Sequence, residues 1–565
     1  MYRYDHIDQR MIDERVAQYR GQIVRNLAGT LSDDELRPLR LQNGLYIQRH
    51  GPMLRIAIPY GQLAARQLRK LAEISRRYDR SVGHFTTRQN MQLNWPKLEE
   101  TPEILGELAT VEMHAIQTSG NCIRNVTTDH FAGIAPDELT DPRPYCEVLR
   151  QCSTFHPEFA FLPRKFKIAV SASGEDRAVI RAHDVGLEVV RDEAGEYGLK
   201  VFVGGGLGRT PVIGKLLREF LPRRHLLSYL DAILRVYNRH GRRDNLYKAR
   251  IKILVGALGV EEFARQVEEE WSYAKDGPTT LPDEEFDRIA AHFAPPAYAT
   301  LPANDVAFAA QLKDDKAFAA WAKRSVHAHK VPGYAALTLS LKAPGVAPGD
   351  INAEQMEVVA DLADRYGFGE LRVSHEQNVV LPDVKQSDLY EVWQIARAAG
   401  LATPNIGLLT DIICCPGGDL CALANARSVP VADAVQTKFD DLDYLYDIGE
   451  LSLNISGCMN SCGHHHVANI GILGVDKNGE EWYQVTLGGR QGKDATIGKV
   501  IGPSFSADEV PQAVAALIGV YLEQRRDGER FIDTFQRLGL APFKARAYAG
   551  RDQREADIAT KAAHA

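Results

Sequence analysis

"LAARQLRKLAEISRRYDRSVGHFTTRQNMQL", Leu63 to Leu93, is matched 288 residues later by "INAEQMEVVADLADRYGFGELRVSHEQNVVL", Ile351 to Leu381. Without a gap the two share Ala65/Ala353, Gln67/Gln355, Ala72/Ala360, Arg77/Arg365, Tyr78/Tyr366, Gln89/Gln377, Asn90/Asn378 and Leu93/Leu381. Each copy reads as an amphipathic helix. Leu68, Leu71, Ala72 and Ser75 fall on one face of the first, and Met356, Val359, Ala360 and Ala363 on that of the second. Each helix runs into an extended segment ending in Gln-Asn, and each is preceded by a strand-like run, "MLRIAIPY" or "AALTLSL". Strand–helix–strand units of this kind pair into sheets with helices on one face. A duplicated mixed α/β (α+β) fold with pseudo-twofold symmetry follows. Symmetric positions then serve architecture, whereas Arg88, which faces Glu376 across the repeat, is a candidate for chemistry present in one half.

The chain of 565 residues is too long for one core. Between the copies lie strand-like "RKFKIAVSA" and "GLKVFVGGGLG", separated by a polar stretch, then helical "HLLSYLDAILRVYNRH" and "GVEEFARQVEEEW". Pro-rich connectors suggest a boundary near residues 275 to 305. The stretch after Gly550 is charged and reads as a frayed or helical edge. No apolar run is long enough to span a bilayer, and the charged, helical-looking N-terminus lacks the apolar region of a secretory signal. A cytoplasmic protein is expected, with no membrane partner. A net charge of −7 argues against nucleic acid as the principal ligand.

Five of the eight cysteines fall within 49 residues, Cys414, Cys415, Cys421, Cys458 and Cys462. In a reducing compartment such clustering reads as metal binding or catalysis. The pairs are Cys415–Cys421, five residues between them, and Cys458–Cys462, three between them. Zinc sites favour tighter pairs, although structural zinc stays open on spacing alone. Four thiolates at these spacings suit a [4Fe–4S] cluster. Pro416 and Gly417-Gly418 permit a tight loop whose amides can donate to cluster sulfur. Adjacent residues point apart, so Cys414 is expected to turn away as a small buried hydrophobe. The lysines of "LPRKFK", Lys165 and Lys167, share one face of a strand with Phe166 on the other. Such a pair is ordinarily a solvated edge.

"CCPGGDLC" and "SGCMNSCG" together resemble the paired signature of the sirohaem and [4Fe–4S] sulfite and nitrite reductases. "MLRIAIPYG", "FTTRQNMQL", "NCIRNV", "LPRKFKIAV" and "VGGGLGR" fall in that family's order, so the resemblance runs from about residue 40 to 545. "VGGGLG" is not a dinucleotide fingerprint, since Arg209 stands where its third glycine is required. The resemblance implies three domains: pseudo-twofold related ferredoxin-like halves at 40–115 and 330–390, a sirohaem- and substrate-binding α/β domain at 116–305, and a C-terminal iron–sulfur domain at 400–550. It implies that Cys415, Cys421, Cys458 and Cys462 hold the cluster and that Cys462 also bridges to the sirohaem iron. Arg55, Arg124, Lys165 and Lys167 match its anion-binding residues, and Arg88, Arg164 and Arg250 those that meet sirohaem carboxylates. Arginine suits planar carboxylates and oxyanions, and lysine can neutralise charge and pass protons. Sulfite-reducing members carry lysine at both basic positions of the "LPRKFK" strand, whereas plant-type nitrite reductases carry asparagine at the second, so Lys167 favours sulfite. Tyr46 and Cys122 resemble a pair covalently joined in some members. His464, His465 and His466 are superfluous as ligands beside four cysteines and read as packing groups. The activity implied is six-electron assimilatory reduction of sulfite to sulfide, with nitrite reduction the alternative. The electron donor implied is ferredoxin or a separate flavoprotein subunit. A non-catalytic iron–sulfur or zinc protein is the reading from another class.

Overall fold

The computed structural model describes residues 1–549; the expectation for the stretch after Gly550 lies outside them. Two compact units emerge. One is built from Met1–Ala343, Gly349–Pro404 and Gln491–Ala495, the other from Pro344–Pro348, Asn405–Arg490 and the described residues from Thr496 on. Among the described residues the three largest hydrophobic cores lie two in the first unit and one in the second. No helix among the described residues is long and apolar enough to cross a membrane.

The duplication read from the sequence holds element by element. Strand Gln62–Ala64, helix Ala65–Tyr78 and strand Val82–Phe85 recur, 288 residues on, as Asp350–Asn352, Ala353–Tyr366 and Glu370–Val373. The halves exchange strands. Asp350–Asn352 pairs antiparallel with Val82–Phe85, and Gln62–Ala64 with Glu370–Val373, so each of two five-stranded sheets closes on a strand of the other half. The helix faces named above are buried and share a single core. Burial of these apolar stripes, rather than the ion pairs Arg69–Asp361 and Arg69–Asp364 on the exposed side, holds the halves together.

Identities in the repeat are architectural. Gln67 accepts from the Ala64 amide at 3.0 Å and donates to Val111 O at 2.9 Å; Gln355 does the same to Asn352 and Ala399 at 3.0 Å each. Gln89 and Gln377 both adopt left-handed backbone, φ 56° and 64°. Gln89 donates across to Val373 O at 3.0 Å, and Gln377 returns the bond to Phe85 O at 2.8 Å. A Cβ at Gly61 would stand 2.7 Å from Gln89 Nε2, and one at Gly349 2.8 Å from Gln377 Nε2. Both positions therefore require glycine. The strand expected over "MLRIAIPY" stops at Ile56, because Pro59 offers no N–H and Tyr60 turns left-handed at φ 44°.

A second duplication went unread in the sequence. In the first unit a sheet orders Lys215–Pro222, Tyr197–Val203, Val185–Arg191, Ile168–Ser171 and Thr127–Thr128. In the second unit Ile413–Cys414, Leu453–Ser456, Ile470–Lys477, Glu480–Leu487 and Lys499–Val500 form a sheet of the same order. In both, the first three strands in chain order are parallel and the last two antiparallel. The stretch taken as merely polar between "RKFKIAVSA" and "GLKVFVGGGLG" contains the central strand Val185–Arg191, hairpinned to Tyr197–Val203.

Candidate metal and anion sites

In the second unit the cysteines sit on two loops leaving adjacent parallel strands. Cys415 follows Ile413–Cys414, and Cys421 lies beyond the turn Gly417–Asp419. Cys458 and Cys462 follow Leu453–Ser456. The Gly457 amide donates to Cys415 Sγ at 3.2 Å, and Ser428 Oγ lies 3.6 Å from the same sulfur. The loops touch at glycines. A Cβ on Gly457 would fall 2.5 Å from Ala426 O and 2.7 Å from Gly417 Cα. Backbone amides of Gly457 and Gly417 are both aimed at the Cys415 sulfur, while that of Gly418 bonds Ala426 O at 2.9 Å. Burial, then the neighbouring Cys462, pushes the Cys415 thiol up to about 12. Burial raises Cys458 as well, with Cys462 and Cys421 adding to it. Cys415 and Cys458, two thiols that resist ionisation, form thiolates readily only around positive charge. Among the described residues no three His, Cys, Asp or Glu side chains converge on one ion position. Thiolates serving separate irons of a cluster fit this spacing better than ligands of a single zinc.

Cys414 is buried in the core, as expected. His464 turns left-handed, φ 58°, to open the turn His465–Val467; His465 is wholly buried and lies 3.9 Å from the His466 ring. The first unit has the same turn, with Val179 at φ 54° before Ile180–Ala182. Gly498 N bonds His466 O at 2.8 Å where Gly214 N bonds Arg181 O at 2.6 Å. The three histidines therefore occupy positions of Val179, Ile180 and Arg181 in the sister fold.

That comparison also shows what replaces the cysteines. Matching strand ends place Asp129 at the position of Cys415, and Ser173 and Arg177 at those of Cys458 and Cys462. There Asp129 Oδ2 accepts from Ser173 Oγ at 3.0 Å and from Arg177 Nε at 2.8 Å. An ion pair fills the first copy.

The first unit gathers the seven predicted basic residues. Arg55, on strand Pro52–Ile56, is held by Gln92 Oε1 at 2.6 and 3.1 Å and lies 5.3 Å over the Tyr46 ring. Arg124 donates to Thr118 O at 2.9 Å and Gly120 O at 2.7 Å, and Arg55 reaches the same Thr118 carbonyl at 3.4 Å. Arg88 is fixed by Thr127 Oγ1 at 2.8 Å and Asn125 O at 2.5 Å. Burial lowers it to about 9, with Arg124 and Arg250 pushing the same way and Asp184 opposing. Arg164 is lowered by burial and by Arg124 and Arg250. Arg250 donates to Asp184 Oδ1 at 2.6 and 2.8 Å. Regular strand begins only at Ile168, yet a bridge from Phe166 to Ile123 preserves the alternation: Phe166 is fully buried, Lys165 and Lys167 half-buried.

Burial alone would raise the Tyr46 phenol, but Arg124, Arg55, Ser119 and Lys165 bring it down to about 8. The Cys122 thiol donates to Ser119 O at 3.2 Å, so Tyr46 and Cys122 border the same residue. Sequence reasoning missed Asp184 and Lys252. Lys252 is buried and donates to Gly206 O at 3.1 Å, Leu207 O at 2.9 Å and Thr210 O at 2.5 Å, fastening the glycine-rich loop. A signal existed: "VGGGLGRTPVIGKL" and "LGGRQGKDATIGKV", 284 residues apart, share four glycines, Ile213/Ile497 and Lys215/Lys499.

The family model described as nitrite and sulphite reductase 4Fe-4S domain matches residues 119–275 and 408–552, once on each of the two like sheets. The nitrite/sulfite reductase ferredoxin-like half domain matches 46–111 and 327–399. A sulfite reductase [ferredoxin] 1 of Mycolicibacterium paratuberculosis is 28% identical over 85% of this chain and 81% of its own. A ferredoxin–nitrite reductase of Synechococcus elongatus is 30% identical over 82% of this chain and 85% of its own. The solved structure of the Mycobacterium tuberculosis NirA protein superposes with a TM-score of 0.76 at 25% identity, covering 95% of this chain and 97% of that one.

Proposed function

Because the chain belongs to the nitrite and sulfite reductases, oxidoreductases that carry sirohaem and a [4Fe–4S] cluster, we propose that it reduces sulfite to sulfide in the cytoplasm for assimilation. Cys415, Cys421, Cys458 and Cys462 would hold the cluster, and Cys462 would also be the ligand of the sirohaem iron. The mutual repulsion of these thiols and the Gly457 amide on Cys415 fit them to a cluster. Arg88, Arg164 and Arg250 take sirohaem carboxylates. When bound, the two groups together supply a path for single electrons and an iron position for the substrate.

The chain's own residues hold the anion and its protons. Arg55 and Arg124, locked by backbone carbonyls and Gln92, present fixed donors; Lys165 and Lys167 add two ammonium donors. Six electrons and seven protons turn sulfite into hydrosulfide and three waters, so each departing oxygen needs protons delivered at that atom. A lysine ammonium beside a bound anion can both neutralise its charge and pass it a proton, which suits Lys165 and Lys167 to delivery. The reductant is ferredoxin, the donor named in several relatives.

The observation that carries sulfite over nitrite is a second lysine, Lys167, on the segment that also holds Lys165. Sulfite brings nearly two negative charges and nitrite one, and an added cation favours the former. The purified protein should show a sirohaem Soret band with a long-wavelength chlorin band. With reduced methyl viologen it should give a higher kcat/KM for sulfite than for nitrite. A spectrum without those bands would overturn the enzymatic reading, and a strong nitrite preference the substrate.

A further inference from the structure

We propose that Asp184 is a positioning residue that orients Arg250 toward sirohaem, an inference that rests on the role given above to Arg250. Asp184 is completely buried and lies just before strand Val185–Arg191, in the middle of the basic cluster. Its two carboxylate oxygens do different work. Oδ2 accepts the Lys167 amide at 2.8 Å, fixing the backbone of the lysine segment. Oδ1 accepts both Nε and Nη2 of Arg250. The same Nη2 lies against Gly206, where a Cβ would stand 2.7 Å from it. The Gly206 carbonyl is itself tied to Lys252. Arg250 is thus held by an anion beside a glycine that leaves it room.

The sister sheet shows which part of this is architecture. Asn469 stands at the position of Asp184, and its Oδ1 accepts the Ser452 amide at 3.1 Å, as Asp184 accepts that of Lys167. Ile470 N bonds Ser452 O at 3.0 Å, as Val185 N bonds Lys167 O at 3.1 Å. The Asn469 amide nitrogen donates to Gly489 O at 3.0 Å, and Gly205 is the equivalent glycine of the first copy. An asparagine therefore satisfies the fold completely at this place. The negative charge is needed only where cations gather, and its partner is Arg250.

This gives a variant with a built-in structural precedent. Asp184→Asn should keep the Lys167 amide bond, turn its nitrogen to Gly205 O, and release Arg250. Groups that orient a ligand-binding residue change affinity by about tenfold or more when removed. Sirohaem retention through dialysis, read by the chlorin band, should fall by about that factor in Asp184→Asn and in Arg250→Ala. The double variant should be no worse than either single one, since the two act as a unit. Iron and inorganic sulfide of the [4Fe–4S] cluster should stay at wild-type levels throughout, which general unfolding would not allow. Asp184→Glu should recover part of the loss. Wild-type retention in Asp184→Asn beside a depleted Arg250→Ala would overturn the positioning role alone. Wild-type retention in both would remove the sirohaem role of Arg250 and the proposal with it.

Discussion

Lys167→Asn tests substrate choice with little disturbance elsewhere. The Lys167 backbone is held at both ends, its amide by Asp184 and its carbonyl by the Val185 amide at 3.1 Å. Exchange therefore alters the side chain while the segment stays in place. Two unit charges about 5 Å apart at an effective dielectric near 20 interact by about 3 kcal/mol. Lys167 is half-buried, so solvent and salt reduce this to about 1.5–3 kcal/mol per substrate charge. Sulfite carries one negative charge more than nitrite, and the loss for sulfite exceeds that for nitrite by that amount. The ratio of kcat/KM for sulfite to that for nitrite should drop about tenfold to a hundredfold. Steady-state assays with reduced methyl viologen measure both values without any protein donor. Raising the salt should shrink the difference between wild type and variant. An equal fall for both anions, or an unchanged ratio, would refute the electrostatic argument.

Tyr46, with its phenol near 8, is neutral below that pH and a phenolate above it, where it repels an incoming anion. KM for sulfite should climb above pH 8 in the wild type, and Tyr46→Phe should flatten that limb; an identical limb in the variant would discount Tyr46. Gly457→Ala forces a methyl into the contact between the two cysteine loops and should cost the chain its iron and inorganic sulfide, while His466→Ala keeps both; iron analysis decides. Gln89→Ala orphans the Thr128 and Val373 carbonyls and the Thr128 amide in a fully buried place, at about 1–3 kcal/mol each. Hydrogen exchange at the strands Val82–Phe85 and Glu370–Val373 should speed up strongly, and unchanged protection would count against the Gln89 link.

The first duplication was legible because its identities are the groups that make the fold. Gln67 and Gln355 cap helices, and Gln89 and Gln377 lock the halves, so drift at these places costs buried hydrogen bonds. The strand exchange could not be read, since pairing between halves leaves no mark on the local pattern. The second duplication hid behind divergence at its candidate site positions. Cys415, Cys458 and Cys462 answer to Asp129, Ser173 and Arg177, and Lys167 answers to Ser452. What survives is backbone: the glycines of "VGGGLG" and "LGGRQG", kept by close approach. A Cβ at Gly205 would meet Arg181 O at 2.3 Å, and one at Gly489 would meet Ala468 O at 2.5 Å. The three histidines are explained the same way, as one copy of a turn the fold uses twice.

Among the candidate residues, those paired through charge were legible as types, and their partners were not. Seven basic residues are conspicuous in an acidic chain, but Asp184 stands among many carboxylates, and only the fold singles it out. Thr118 and Gly120, which hold Arg55 and Arg124, act through carbonyl oxygens that no side-chain pattern betrays.

The most direct test is the electron balance of steady-state assays, with sulfite or nitrite as the sole acceptor in turn and reduced methyl viologen as donor. One sulfide should appear for every six one-electron equivalents consumed, at a kcat/KM above that for nitrite. Ammonium formed rapidly from nitrite, with sulfite left essentially unreduced, would contradict the account.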